Sequence, residues 1–178
     1  MKKIKKTLSY LLAAAMIFGL LPAFSMNVKA ASIPVLTFSD SGITETVPGT
    51  GYSIKDNALT FSAAGTYKVT GTCSEGSIDV KKSVSGVTII LSNLNLTSST
   101  TAPIVIKKES SATIHIDGTN TLKNTENPAN ENSTDPDVAD AYEGAAIKVK
   151  STSSLVFCGD GTLNIYGSSK NGIKGGTD

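Results

Sequence analysis

From residue 32 onward, apolar and polar side chains alternate in short runs: Val35-Leu36-Thr37-Phe38, Ala58-Leu59-Thr60-Phe61, Thr66-Tyr67-Lys68-Val69-Thr70, Ser77-Ile78-Asp79-Val80 and Val87-Thr88-Ile89-Ile90-Leu91. The pattern returns at Ile104-Val105-Ile106, Thr113-Ile114-His115-Ile116, Ala146-Ile147-Lys148-Val149, Leu155-Val156-Phe157 and Leu163-Asn164-Ile165. A period of two turns one side of each run to a core and the other to water, which predicts strands. Thr, Ser, Val, Ile and Gly dominate, while Leu, Ala and Glu are too scattered to sustain a helical stripe, so an all-β protein is expected.

The runs also recur in order: a strand, a polar step, a second strand, a Gly or Asn step, then a short third strand. Ile78 and Ile104 are 26 residues apart, as are Ile147 and Ile173. The interval from Ile104 to Ile147 is 43, and its excess of 17 matches an acidic, Pro- and Asn-rich stretch, residues 126–143, that reads as an insertion. Ile89 and Ile114 lie 25 apart, and the step Ser92-Asn93-Leu94-Asn95-Leu96-Thr97 corresponds to Asp117-Gly118-Thr119-Asn120-Thr121-Leu122 and to Gly159-Asp160-Gly161-Thr162-Leu163-Asn164-Ile165. Self-similarity at such a period predicts a parallel β-helix of about 26 residues per coil. An antiparallel sandwich would also give many short strands, but it does not require like residues to return at constant offsets. Residues 31–75 repeat less well and are expected to cap the helix, with residues 76–178 forming its coils. The last unit begins at Asn171-Gly172-Ile173, so the helix is expected to be truncated at its C-terminal end.

The N-terminus has another character. Lys2, Lys3, Lys5 and Lys6 precede an apolar run from Leu8 to Phe24, and Val28-Lys29-Ala30-Ala31 follows. That order is a secretory signal peptide over residues 1–30, cleaved after Ala30. A retained anchor is the competing reading, because the run approaches the roughly 18 residues of a membrane span; Ser9, Gly19 and Pro22 interrupt it. The expected location is secreted, extracellular or at the cell surface, with no membrane attachment once the signal is removed.

Composition narrows the partners. Five of the sixteen basic residues belong to residues 1–30, leaving the rest with eleven Lys against fifteen Asp and Glu. A mildly acidic chain cannot neutralise a phosphate backbone, which excludes nucleic acid. Cys73 and Cys158 are the two cysteines. Export permits a bridge between them, and strand-like surroundings equally suit two buried free thiols.

The units Ala145-Ala146-Ile147-Lys148-Val149-Lys150, Leu155 through Ile165, Asn171-Gly172-Ile173-Lys174 and Val87 through Leu96 resemble a family of secreted bacterial carbohydrate-binding proteins. The resemblance covers about residues 76–178. It implies a right-handed parallel β-helix like that of the polysaccharide lyases, with bound calcium, which binds plant-type polysaccharide rather than cleaving it.

Several residues are candidates for that chemistry. The insertion holds Glu126, Glu131, Asp135, Asp137, Asp140 and Glu143, and such oxygen-rich clusters suit Ca²⁺. Asp137, Asp140 and Glu143, with Asp135 as a further ligand, are the expected calcium set; a solvated acidic loop is the alternative. Tyr142 and Tyr166 are the candidate stacking surfaces for sugar. Pectin-like polyuronate or cellulose is the expected ligand class, with calcium bridging an acidic sugar. Catalysis has weaker support. His115, the single His, lies between Ile114 and Ile116 and is expected to face solvent, so it can complete neither a Ser-His-Asp nor a zinc site. A lyase would need a base such as Lys148, Lys150, Lys170 or Lys174. The expected function is therefore non-catalytic carbohydrate binding, with a lyase-like enzyme or an adhesion module as alternatives.

Overall fold

A computed structural model of the chain describes residues 32–176; the expected signal peptide lies outside the described residues. The chain there is mostly β and forms two largely parallel sheets, an arrangement consistent with a β-helix. In chain order the strands are β1 (Val35–Ser39), β2 (Gly42–Val47), β3 (Tyr52–Lys55), β4 (Ala58–Phe61), β5 (Gly65–Cys73), β6 (Ser77–Val80) and β7 (Val87–Ser98). They continue as β8 (Ile104–Ile106), β9 (Ser111–Asp117), β10 (Thr119–Asn124), β11 (Ile147–Val149), β12 (Ser154–Gly159), β13 (Thr162–Tyr166) and β14 (Ile173–Gly175).

The first sheet runs β12-β9-β7-β5-β1-β2, with β10 joining both β7 and β13; the second runs β14-β11-β8-β6-β4-β3. Each pass of the chain thus adds one rung to both sheets. Ile78, Ile104, Ile147 and Ile173 are direct partners along the second sheet, so the 26- and 43-residue intervals are the spacing of the rungs. Ile89 pairs with Ile114 in the first sheet. The inner positions Leu59, Ile78, Ile104 and Ile147 are fully buried, as are Phe61, Val80 and Ile106 beside them. Because the strands are in register, like side chains stack on like, and the core is a set of aliphatic columns between the sheets.

The corner between the second and third strands of a rung explains the Gly and Asn step. Asn93 takes a positive φ of 53°, and its Oδ1 accepts from the N–H of Thr119 at 3.1 Å. Gly118 sits one rung on with φ 67°, where a Cβ would collide with Asn93 Oδ1, so a side chain is excluded there.

Two regions gain detail in the structure. The N-terminal part joins the parallel stack: β1 pairs parallel with β5, and β4 with β6. What distinguishes it is a pair of antiparallel hairpins, β1–β2 and β3–β4, which supply the terminal strands β2 and β3. Tyr67, stacked on Phe61 at 4.4 Å, fills the core beside them. The insertion, read as a loop, contains a 3-10 turn (Pro128–Asn132) and a short helix, α1 (Pro136–Ala141). Asn127 caps the first and Asp135 the second, each followed by a proline whose missing N–H costs nothing at that position.

Candidate functional site

A groove runs along one edge of the two sheets, where successive turns stack. Its first hollow, about 450 Å³, is lined by Asn57 from the β3–β4 turn, Glu75 from the β5–β6 turn, Ser77 at the start of β6, Ser98 at the end of β7 and Thr100 just after it. A second, about 320 Å³, lies between Ser99, Thr100, Glu126, Asn130, Asp137 and Tyr142. Thr100 lines both, so the hollows are consecutive and cross several rungs. Each rung is about 4.8 Å from the next, and the groove follows the stacking direction.

The groove carries polar side chains on a surface that is more apolar than polar, and their hydrogen-bond partners lie on neighbouring rungs. The Glu75 carboxylate accepts from Ser98 Oγ at 3.1 Å, from Ser99 N–H at 3.0 Å, from Ser99 Oγ at 2.7 Å and from Thr100 Oγ1 at 3.1 Å. Desolvation would raise the pKa of Glu75, but the hydrogen bonds from Ser99, Thr100 and Ser98 outweigh it and hold the carboxyl below its ordinary range. The rim is therefore pre-formed, as a polyhydroxylated ligand requires if ordering costs are to stay low.

The insertion forms the wall of the second hollow. Its base is closed by Glu126, a buried carboxylate that accepts from Gly144 N–H at 2.7 Å, Glu143 N–H at 3.3 Å and Asn124 Nδ2 at 2.6 Å. Both ends of the insertion are thereby fastened at one point. Its outer part is tied to the following rung: the Tyr142 hydroxyl bonds Ser168 Oγ at 3.2 Å and also Ser169 Oγ, and Lys170 pairs with Glu131. Lys170 Nζ lies 6.0 Å from the Tyr142 ring centroid.

The expected calcium set is not assembled in this arrangement. Asp137 and Asp140 are exposed on α1, Asp135 is occupied in capping it, and Glu143 is buried and paired with Lys150. Among the described residues no three Asp, Glu, His or Cys side chains are grouped to hold a metal. The residues as placed do not fit a calcium centre: one of the three carboxylates is neutralised and the other two lie on a solvated helix. Of the two tyrosines, Tyr142 lines the second hollow, whereas Tyr166 is exposed at the end of β13, in neither hollow. Asn57, Ser77 and Thr100 were missed from sequence because each comes from a different rung and none belongs to a local motif.

The other candidates are also placed. His115 lies on the outer side of β9, between the inward Ile114 and the partly buried Ile116. The cysteines are free, Cys73 buried and Cys158 exposed, so of the two alternatives neither the bridge nor the pair of buried thiols holds in full. Among the lysines, Lys150 and Lys170 are in ion pairs, and Lys148 is buried. Burial lowers the Lys148 pKa, opposed by Glu143 and aided by Lys174 and Lys150.

Stacked parallel strands with a groove of mixed polar and apolar lining along their turns define a class of β-rich proteins able to hold an extended ligand. The chain belongs to the family of carbohydrate-binding domain-containing proteins, whose model matches residues 55–178. Among solved structures it is similar to the polysaccharide lyase-like protein from C. thermocellum, solved as a gadolinium derivative, with a TM-score of 0.64 and 21% identity. That match covers 81% of this chain and 56% of the other, so the chain spans little more than half the length of that protein, and the likeness is one of fold. No curated protein matches.

Proposed function

We infer that this chain is an exported, non-catalytic module that binds a plant-type polysaccharide along the groove from Asn57 to Tyr142. It is read as a right-handed β-helix with about 26 residues per coil, the right hand being that of parallel strand crossovers in general. The observation that carries the reading is the continuity of the two hollows across stacked rungs, joined at Thr100. An extended chain of sugars has its hydroxyls spaced along one axis, and this groove presents Ser, Thr, Asn and carboxylate groups along one axis.

The proposal does not require calcium: Asp135, Asp137 and Asp140 supply carboxylates, but Glu143 is engaged by Lys150. A lyase is the alternative favoured by one feature, the lowered pKa of Lys148, which a proton-abstracting base requires. Lys148 lines neither hollow of the groove, however.

The test is retention of the chain from Ala31 onward on insoluble cellulose and on low-ester pectin, each with calcium and with a chelator. Retention by at least one of them is expected, and it should persist in chelator. Thr100→Trp fills the groove at its midpoint from an exposed turn and is expected to weaken retention about tenfold, near 1.4 kcal/mol, with an unchanged circular dichroism spectrum. Retention equal to the parent's would remove the groove as the site. Retention lost in chelator would restore the calcium centre, and unsaturated products from pectin would favour the lyase.

A further inference from the structure

On the outer face of the first sheet, away from the groove, Cys158 on β12 and His115 on β9 are direct cross-strand partners. Cys158 Sγ stands 3.4 Å from His115 Nδ1, and the cysteine is exposed. The thiol is thus paired with the chain's single imidazole. Their row continues to Ile90 on β7 and Lys68 on β5. Asp117, two residues along β9, is held by Ser92 Oγ at 2.9 Å and lies 3.6 Å from Lys68 Nζ. No acid is interposed between the thiol and its base, and Lys68 is the cation of the row.

A second feature lies beside the pair. A hollow of about 240 Å³ on the same sheet is lined by Thr88, Ser111, Thr113, Ser154 and Val156. Val156 and Thr113 are each two residues before the Cys158–His115 pair on their strands, one side-chain step along the same face. It is small, with hydroxyls at its walls and one exposed apolar side chain, Val156. Cys73 cannot serve as an internal partner for the thiol, since it is buried in the core on β5.

We propose that Cys158 and His115 form a thiol-modification site that takes up small polar disulfides by exchange, with the adjoining hollow seating the substituent. His115 Nδ1 accepts the Cys158 proton, and the Sγ electron pair attacks one sulfur of the disulfide. The S–S bond of the small molecule breaks as the Cys158 mixed disulfide forms. The departing thiolate takes the proton back from the imidazolium and leaves as a thiol. The incoming disulfide is the oxidant and the released thiol its reduced half, so no further reactant is needed. In an exported protein such disulfides are available and the adduct persists.

The probe is oxidised glutathione, with the mass of the intact chain as readout. One adduct per chain is expected, on Cys158, absent from Cys158→Ser, while Cys73 stays unmodified until the chain is denatured. His115→Gln should slow the reaction at pH 7 about a hundredfold, the low end for a positioned base. The gap should close at about pH 9.5, where hydroxide can take the proton that the base otherwise accepts. An adduct that forms on Cys73 in the folded chain, or a His115→Gln variant as fast as the parent at pH 7, would overturn the proposal. So would a variant equally slowed at both pH values, since that indicates a change of structure rather than loss of a base.

Discussion

Glu126 is the most consequential single residue of the site, because one buried carboxylate holds both ends of the insertion through three donors. Hydrogen bonds to a charged group are worth about 1.5–3 kcal/mol each, and removing the acceptor leaves buried N–H groups unpaired. Glu126→Ala is therefore expected to destabilise the chain by about 2–4 kcal/mol, read from the midpoint and slope of urea unfolding. Glu126→Gln, which keeps one carbonyl acceptor, should cost less; equal losses would mean that bulk rather than acceptance is what matters. The sequence did display Glu126, but in company that suggested a cation. Six carboxylates within 18 residues are legible as acidic, whereas their separate employment as staple, cap and ion-pair partner is not. Asn127-Pro128 and Asp135-Pro136 were the legible signals, each a cap followed by a proline at the first helical position, and they point to short helices instead of a metal loop.

At the level of elements, the register was legible because it depends on one property repeated: an aliphatic residue must return to the inner face on every rung. The column Ile78–Ile104–Ile147–Ile173 expresses this directly. Ile104 lies in its middle and is fully buried. Ile104→Ala should therefore cost about 2–5 kcal/mol, since neighbours above and below cannot both close the gap. Calorimetry checks this, with a loss under about 0.5 kcal/mol being incompatible with a column packed on both sides. The N-terminal rungs were less legible. Leu59 pairs with Ile78 at an interval of only 19, because the turns there are shorter and the period fails although the stacking does not. The groove was not legible at all, since it is made by bringing together turns that have no sequence feature in common.

Across the whole molecule, carboxylates fasten each rung to the next. Asp40 accepts from Ser74, Glu75 from Ser98, Ser99 and Thr100, and Glu109 from Ser83. The Asp40 carboxyl is lowered chiefly by Ser74, and that of Glu109 by Ser83 and then Lys82. Glu75 moves the same way despite its desolvation. A carboxyl whose folded pKa lies below its unfolded value stabilises the fold above the unfolded value, about 4 for these groups. That contribution is lost as pH falls through the folded value. The melting temperature is expected to be level between pH 7 and 5 as far as these groups contribute, then to fall below about pH 4. Thermal melts across that range test it, and a curve that stays flat to about pH 2 would show that the staples are energetically idle.

The insertion leaves the stack after β10 and returns before β11, yet Ile104 and Ile147 still meet as partners. Its two ends are clasped by Glu126, so the strand register does not depend on what lies between them, although Lys170 and Glu131 tie its outer part to the following rung. That turn is a socket. Segments of other lengths and chemistries can be plugged in beside the groove without moving a strand, so one wall can change while the scaffold stays fixed.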